Sequence, residues 1–322
     1  MTKSGTTKRN ILITGGSGNL GSRLTIPLVQ RGDRIVLFDV RSTRRPEPEF
    51  REVPTIIGDL ADRDAVLRAV QSQRIQSIFH LGAVLSSAAE ESPHDAWQAN
   101  MNGMVNVLEA ARLGGAEKVI FSSTVATYGK AVESPLLDDS PQWPISLYGV
   151  TKVAGERLGV YYHSRFGLDF RGVRLPAVIA ARGAGGGASA YCSACFEQSV
   201  GHGKYQFFVR PATRAPMLYI ADAVRALIEL HDAPQEQLRR RVYNISGIHP
   251  SAEQLAMVIQ ERVPDARITY DPDPLRTAIV ESWPQDINDD AARADWKWRS
   301  RWSLDQIADD VIRELRSDLA RQ

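Results

Sequence analysis

Tyr148 and Lys152 stand four residues apart in Tyr148-Gly149-Val150-Thr151-Lys152, a spacing that puts both on one face of a helix. A phenol beside an ammonium is a device for moving a proton. An unperturbed tyrosine, with a pKa of ~10, is a poor base at neutral pH, and a neighbouring positive charge favours its phenolate. Lowering the phenol by ~3 units takes roughly 4 kcal/mol, about what one close charge pair supplies at an effective dielectric near ~20. Taken alone, the pair also fits a solvated helix face. Thr124 weighs against that, because it follows the predicted strand Lys118-Val119-Ile120-Phe121, beside the crevice where ligands sit in open α/β sheets. Thr124, Tyr148 and Lys152 suit the movement of a proton and a hydride between an alcohol and a nicotinamide.

A nucleotide site must lie beside them, and residues 11–21, ILITGGSGNLG, have the pattern of one. Ile11 to Thr14 read as a buried strand, Gly15, Gly18 and Gly21 follow at a spacing of three, and residues 19–30 have helical periodicity. Strand, glycine turn and helix bring backbone N–H groups to a pyrophosphate. Gly15 permits the turn, Gly18 lets phosphate approach, and Gly21 lets helix and strand pack closely. The next strand, residues 33–38, ends at Asp39, eighteen residues past Gly21. A carboxylate there accepts hydrogen bonds from both adenosine ribose hydroxyls and repels a 2′-phosphate, which favours NAD over NADP. Arg41 and Arg44 close by soften that preference.

Further strands are predicted at 55–58, 77–81 and 170–175, and helices at 62–73, 93–113 and 147–166. Their alternation predicts an α/β fold, a Rossmann-type doubly wound parallel sheet. Leu81, Ala83 and the Leu175–Val178 turn are expected to line the nicotinamide crevice. Beyond Ala177 the pattern loosens. Helices are expected near 190–202, 220–232, 251–262 and 303–318, and short strands at 206–209, 242–245 and 267–270, forming a smaller substrate lobe over the C-terminal edge of the sheet. The domain reading is a flexible N-terminus (1–9), an NAD-binding domain (10–178) and a mainly substrate-binding lobe (179–322), with some of its segments returning to the first domain.

The chain has 322 residues, 43% of them hydrophobic and 24% charged, and a net charge of +1. That balance gives no electrostatic case for nucleic acid or an anionic membrane as a partner. No apolar run approaches the ~18 residues of a membrane helix, and residues 1–9 lack a signal's apolar core, so a cytoplasmic protein is expected. The two cysteines, Cys192 and Cys195, are spaced C-x-x-C. Without a second pair or H-x₃₋₅-H, no metal site is predicted, and two small side chains in a buried helical turn is the preferred reading over a redox pair.

TGGSGNLG, Asp39, Asp59-Leu60, HLGAV, Asn100, SSTVATYG and YGVTK together resemble the extended short-chain dehydrogenase/reductases. The resemblance covers the whole chain. It implies that Gly15, Gly18, Asn19, Leu20 and Gly21 hold the pyrophosphate, Asp39 the adenosine ribose, Asp59-Leu60 the adenine, and Lys152 also the nicotinamide ribose, with Arg41 and Asn100 at the cofactor site. Dehydratases of this group carry an acidic pair after the threonine, where this chain has Val125-Ala126. Sugar-nucleotide epimerases carry an asparagine after the sixth strand, where this chain has Pro176-Ala177. Arg182, Arg210 and Arg214 keep a diphosphate-binding alternative open.

YGVTKVAGERL, YYHSRFGLD, the glycine triplet before Tyr191, VYNISG and ITYDPDPLRTAIVESWP resemble the short-chain L-threonine 3-dehydrogenases. That resemblance implies NAD-dependent oxidation of a small β-hydroxy amino acid, with Ser86, Ser123, Thr124, Tyr148, Gly186, Gly187, Ser189 and Trp283 near the substrate. It also implies a homodimer through the helices at 93–113 and 147–166. Ser86 alternatively caps a helix, and Trp283 alternatively packs the lobe, as Trp296, Trp298 and Trp302 are expected to. The chain departs from the family at Ala181-Arg182-Gly183-Ala184, at Ala188-Ser189-Ala190 and at Glu281. The alternatives are a sugar-nucleotide 4-epimerase, a dehydrogenase of another β-hydroxy amine or hydroxy acid, and a non-catalytic NAD sensor.

Overall fold

Ile11, Leu12 and Ile13 are fully buried in the first strand, β1 (Asn10–Thr14). The computed structural model describes residues 8–42, 47–129, 133–183 and 187–321. After β1 come α1 (Asn19–Gln30), β2 (Arg34–Asp39), β3 (Thr55–Ile57), α2 (Arg63–Ser72), β4 (Ser77–His80), α3 (Ser86–Glu91) and α4 (Pro93–Trp97). Then follow α5 (Gly103–Gly114), β5 (Lys118–Thr124), α6 (Leu147–Phe166), β6 (Asp169–Leu175), β7 (Ala177–Ile179), α7 (Tyr191–His202), β8 (Lys204–Phe207) and β9 (Met217–Tyr219). The remainder is α8 (Ile220–Asp232), β10 (Val242–Asn244), α9 (Ala252–Arg262), β11 (Arg267–Tyr270), α10 (Pro274–Glu281), α11 (Asp290–Trp296) and α12 (Leu304–Leu319).

Seven strands form one parallel sheet in the order β10-β6-β5-β4-β1-β2-β3. Its register sets Leu12 between Val36 of β2 and Ile78 of β4, and all three are fully buried. A parallel sheet covered on both faces requires such unbroken apolar strands, and this is the doubly wound arrangement expected. The chain divides into two compact units: Met1–Ser123 with Thr151–Gly172, and Thr124–Val150 with Val173–Gln322.

In the first unit, α6 lies close to the sheet because two of its residues lack side chains. A Cβ on Gly155 would come within 2.9 Å of the Phe121 ring, and one on Gly159 within 2.1 Å of Phe170. The helix expected at 93–113 is interrupted. Between α4 and α5 runs one π turn, Gln98–Asn102, and Asn100 within it is buried. A wider turn of this kind re-aims the side chains it carries. Thr124, expected just beyond β5, is its last residue.

The second unit holds two short parallel pairs, β7 with β9 and β8 with β11, and helices α7 to α12. Tyr191, Phe196, Phe207, Tyr243 and Trp298 are fully buried there. Capping boxes start α9 (Ser251 with Gln254) and α12 (Ser303 with Gln306). The strand expected at 206–209 runs from Lys204 to Phe207, and β7, β9, α10 and α11 were not anticipated. Cys192 and Cys195 are free thiols, fully buried in α7, and burial pushes both well above the ordinary thiol range. Among the described residues no helix is long and apolar enough to cross a membrane.

Candidate active site

The nucleotide end is built where β1 turns into α1. Gly15 sits at φ +67, and a Cβ on it would come within 2.7 Å of the Gly82 backbone. At Gly21 a Cβ would approach the Gly15 carbonyl to 2.5 Å, so only glycine lets helix and turn close. The N-cap of α1 is Gly18, in extended conformation and with no side-chain cap. Asn19 and Leu20 follow as the first, half-buried helical residues. Helix amides without a side-chain acceptor beside a glycine turn suit an anionic diphosphate.

Asp39, at the end of β2, accepts the amide of Ser17 at 3.0 Å through Oδ2 and that of Arg41 at 3.3 Å through Oδ1. The Ser17 hydroxyl donates to the Arg41 carbonyl at 2.8 Å. These bonds fix the carboxylate beside the glycine turn, and a carboxylate's remaining lone pairs suit ribose hydroxyls. Arg44 lies outside the described residues. Exposed Asp59 accepts the Ala61 amide at 2.9 Å. Leu60 is buried, and its carbonyl takes a 2.8 Å bond from Asn106, a residue that sequence reasoning passed over. Leu81 and Ala83 are half-buried after β4. Asn100 clasps that loop, accepting the Val84 amide at 2.7 Å and donating to the Val84 carbonyl at 3.0 Å and the Thr151 hydroxyl at 3.3 Å. These features fit the adenine, ribose and diphosphate parts of NAD. Leu175, in the second unit, is buried at the end of β6.

In the second unit, Thr124 Oγ1 accepts the Ala126 amide at 3.2 Å and so caps the short turn Val125–Thr127. That turn rests on the start of α6, because a Cβ on Gly149 would meet the Ala126 carbonyl at 2.5 Å. The glycine between Tyr148 and Val150 therefore sets the approach of the Thr124 turn to the helix that carries Tyr148 and Lys152. Tyr148 is half-buried, and burial pushes its hydroxyl up to about 12. Lys152 donates to the Ser122 carbonyl at 2.8 Å and stands 4.6 Å over the Phe121 ring. Burial pulls it down to about 7, while Glu156 acts to raise it. Burial alone therefore opposes the phenolate, and the lysine's positive charge is itself under strain.

Ser123, expected near the substrate, is buried and gives its hydroxyl to Glu156. His80 shares a 2.8 Å hydrogen bond with Thr14 through Nδ1 and stacks on Phe121. Glu156, His80 and Thr14 escaped the sequence reading. The available signal for Glu156 was its place one turn beyond Lys152 on the same face.

Ser86 is the first residue of α3 and half-buried. Gly187, at φ +80, opens a turn whose Ser189 carbonyl accepts the Cys192 amide at 3.1 Å. Gly185 and Gly186 lie outside the described residues. Trp283 is half-buried just after α10, whereas Trp296 and Trp298 are buried and Trp302 packs on Tyr219. The three arginines considered for a diphosphate are paired within their own unit. Arg182 binds Asp318, Arg210 binds Glu281, and Arg214 donates to the His249 carbonyl and to Gln254.

Residues 11–246 match the NAD dependent epimerase/dehydratase family, and the chain belongs to that family. Its members are built to use NAD, and the chain is an NAD-dependent oxidoreductase acting on CH–OH. Within that class it is similar to the mitochondrial L-threonine 3-dehydrogenase of Bos taurus, 37% identical over 309 residues that cover 95% of this chain and 82% of the bovine one. It is also similar in structure to the L-threonine dehydrogenase of Clostridium difficile, with TM-score 0.89, 32% identity, and 97% and 98% of the two chains covered. A monomeric L-threonine 3-dehydrogenase from a metagenome gives TM-score 0.87 and 34% identity, with 95% and 99% covered.

Proposed function

We propose that this chain oxidises the 3-hydroxyl of L-threonine, or of a closely related β-hydroxy amino acid, to give 2-amino-3-oxobutanoate from threonine. One observation carries the reading: the turn capped by Thr124 packs against Gly149, the residue that follows Tyr148 at the start of α6. When bound, NAD supplies the acceptor for the hydride. Tyr148 as phenolate takes the hydroxyl proton, and Thr124 orients the oxygen that loses it. Lys152 as ammonium offsets the burial that pushes Tyr148 up to about 12 and grips the nicotinamide ribose. The carbinol carbon gives up a hydride and its oxygen a proton, leaving a ketone.

The pairing of Arg182, Arg210 and Arg214 with neighbours of their own unit supports a small amino acid over a sugar diphosphate. Ser86, Gly187, Ser189 and Trp283 are the residues proposed to meet it. NADH formation by the purified protein with L-threonine, against a panel of β-hydroxy amines and UDP-sugars, tests the reading. Threonine-dependent NADH is expected; turnover of a UDP-sugar with none of threonine sinks it.

A homodimer through α5 and α6 belongs to the same proposal. Val105 and Leu113 on α5, and Val150, Tyr161 and Phe166 on α6, are apolar and exposed, as an interface would require. The two free thiols suit a reducing compartment, and the cytoplasm is the compartment proposed.

A further inference from the structure

A buried carboxylate stands behind the reactive pair, and the reaction proposed above gives it no role. Glu156 is 1% exposed, on the same helix as Lys152 and one turn further on. Its Oε1 accepts the hydroxyl of Ser123, itself 2% exposed, at 2.5 Å. A charged group is seldom buried to this degree unless it is paired. Lys152, 4% exposed, faces the Phe121 ring and the Ser122 carbonyl on β5. The carbonyl and the ring face offer partial negative charge, and a full negative charge nearby stabilises a buried ammonium further.

We infer that Glu156 is a positioning residue that keeps Lys152 charged, and that Ser123 holds the Glu156 carboxylate in place for that task. Tyr148, Lys152 and Glu156 follow one another at i, i+4 and i+8 along α6, so Glu156 comes one helical turn after Lys152 and two after Tyr148. Titratable neighbours of Lys152 include Glu156 on α6 and His80 on β4, with Tyr148 one turn before it on the helix. His80 stacks on Phe121 with centroids 5.7 Å apart, and burial together with Lys152 pulls it down to about 3. It is therefore neutral at working pH and adds no competing charge. Burial is the largest influence on Lys152 and lowers it to about 7, and Glu156 opposes it. Removing the negative charge lowers the pH at which the lysine loses its proton.

The inference rests on the threonine reading for its purpose, but its first test, a lysine titration, needs neither substrate nor NAD. The chain has seven lysines, few enough for selective 13Cε-lysine NMR, with Lys152 assigned by its loss in Lys152→Arg. In Glu156→Gln the Lys152 signal should titrate at least one pH unit lower than in the parent, about a tenfold fall in the ratio of charged to neutral lysine at a given pH. The alkaline limb of the kcat profile should move by the same amount. An unmoved titration, with only the thermal midpoint lowered, would mean that Glu156 serves packing alone. A double-mutant cycle in thermal unfolding covers poor folding. Glu156→Gln should cost less in a Lys152→Met background than in the parent, because the two charges compensate each other. If Glu156→Gln does not fold, recovery of a folded protein in the double variant supports the coupling. Equal cost in both backgrounds, or no recovery, overturns it.

Discussion

Tyr148 shows how little a side chain's type decides without its surroundings. Burial moves its hydroxyl away from use as a base, up to about 12, so its proposed role depends on one ammonium four residues on. Tyr148→Phe removes the proton acceptor and little else. It should lower kcat by about 10²–10⁴-fold while NAD affinity, measured by fluorescence titration, stays within a few-fold; a variant with near-parental kcat would exclude the phenolate. His80 gives a prediction of another kind. Burial, then Lys152, lowers it to about 3 from an ordinary 6.5. Between those values the unfolded chain binds more protons than the folded one, so stability falls as pH drops below 6.5 and goes on falling towards 3. The slope is at most ~1.4 kcal/mol per pH unit. Urea titrations between pH 7 and pH 5 should show it, and His80→Asn should flatten it; an unchanged slope in the variant would assign the acid sensitivity to other groups.

Glycines decide where the site-bearing elements lie. Gly159→Ala puts a Cβ 2.1 Å from the Phe170 ring, so α6 must retreat from the sheet. The expected cost is about 1–3 kcal/mol, read as a lowered urea midpoint; no loss would mean that the helix does not depend on this approach. The turn at Gly15 and the close packing at Gly21 were legible in the sequence because few residue types satisfy a positive φ or a close approach of backbones. Strands β1, β2, β4 and β5 were legible because burial on both faces requires continuous apolar runs. The π turn was not, since the apolar pattern of residues 93–113 suits an unbroken helix equally well and nothing in it marks a widened turn. Glu156 was missed because a carboxylate among helical residues normally means solvent, and its partner Ser123 is distant in sequence. The pairs β7–β9 and β8–β11 join segments of three or four residues far apart in the chain, where local periodicity has no length over which to register.

At the scale of the whole chain, two properties follow from what α5 and α6 expose and from what the reactive residues can do. Exposed Val105, Leu113, Tyr161 and Phe166 predict twice the chain mass in light scattering, and a folded monomer in Tyr161→Lys/Phe166→Glu with a lowered urea midpoint, since the subunit contact no longer adds to stability. A monomeric parent, like the metagenomic relative, would refute the dimer and leave the chemistry intact. The membership of residues 11–246 in an NAD-dependent family establishes the class of reaction, and the substrate is the central claim added to it. The departures at Ala188-Ser189-Ala190 and Glu281 fall in the unit proposed to receive that substrate, and Glu281 is already engaged by Arg210 and Thr213. The most direct measurement is NADH production by the purified chain supplied with NAD and L-threonine, set beside other β-hydroxy amines and UDP-sugars. Threonine-dependent NADH that vanishes in Tyr148→Phe is the predicted result. No NADH from threonine, with interconversion of a UDP-sugar by the same preparation, would contradict it.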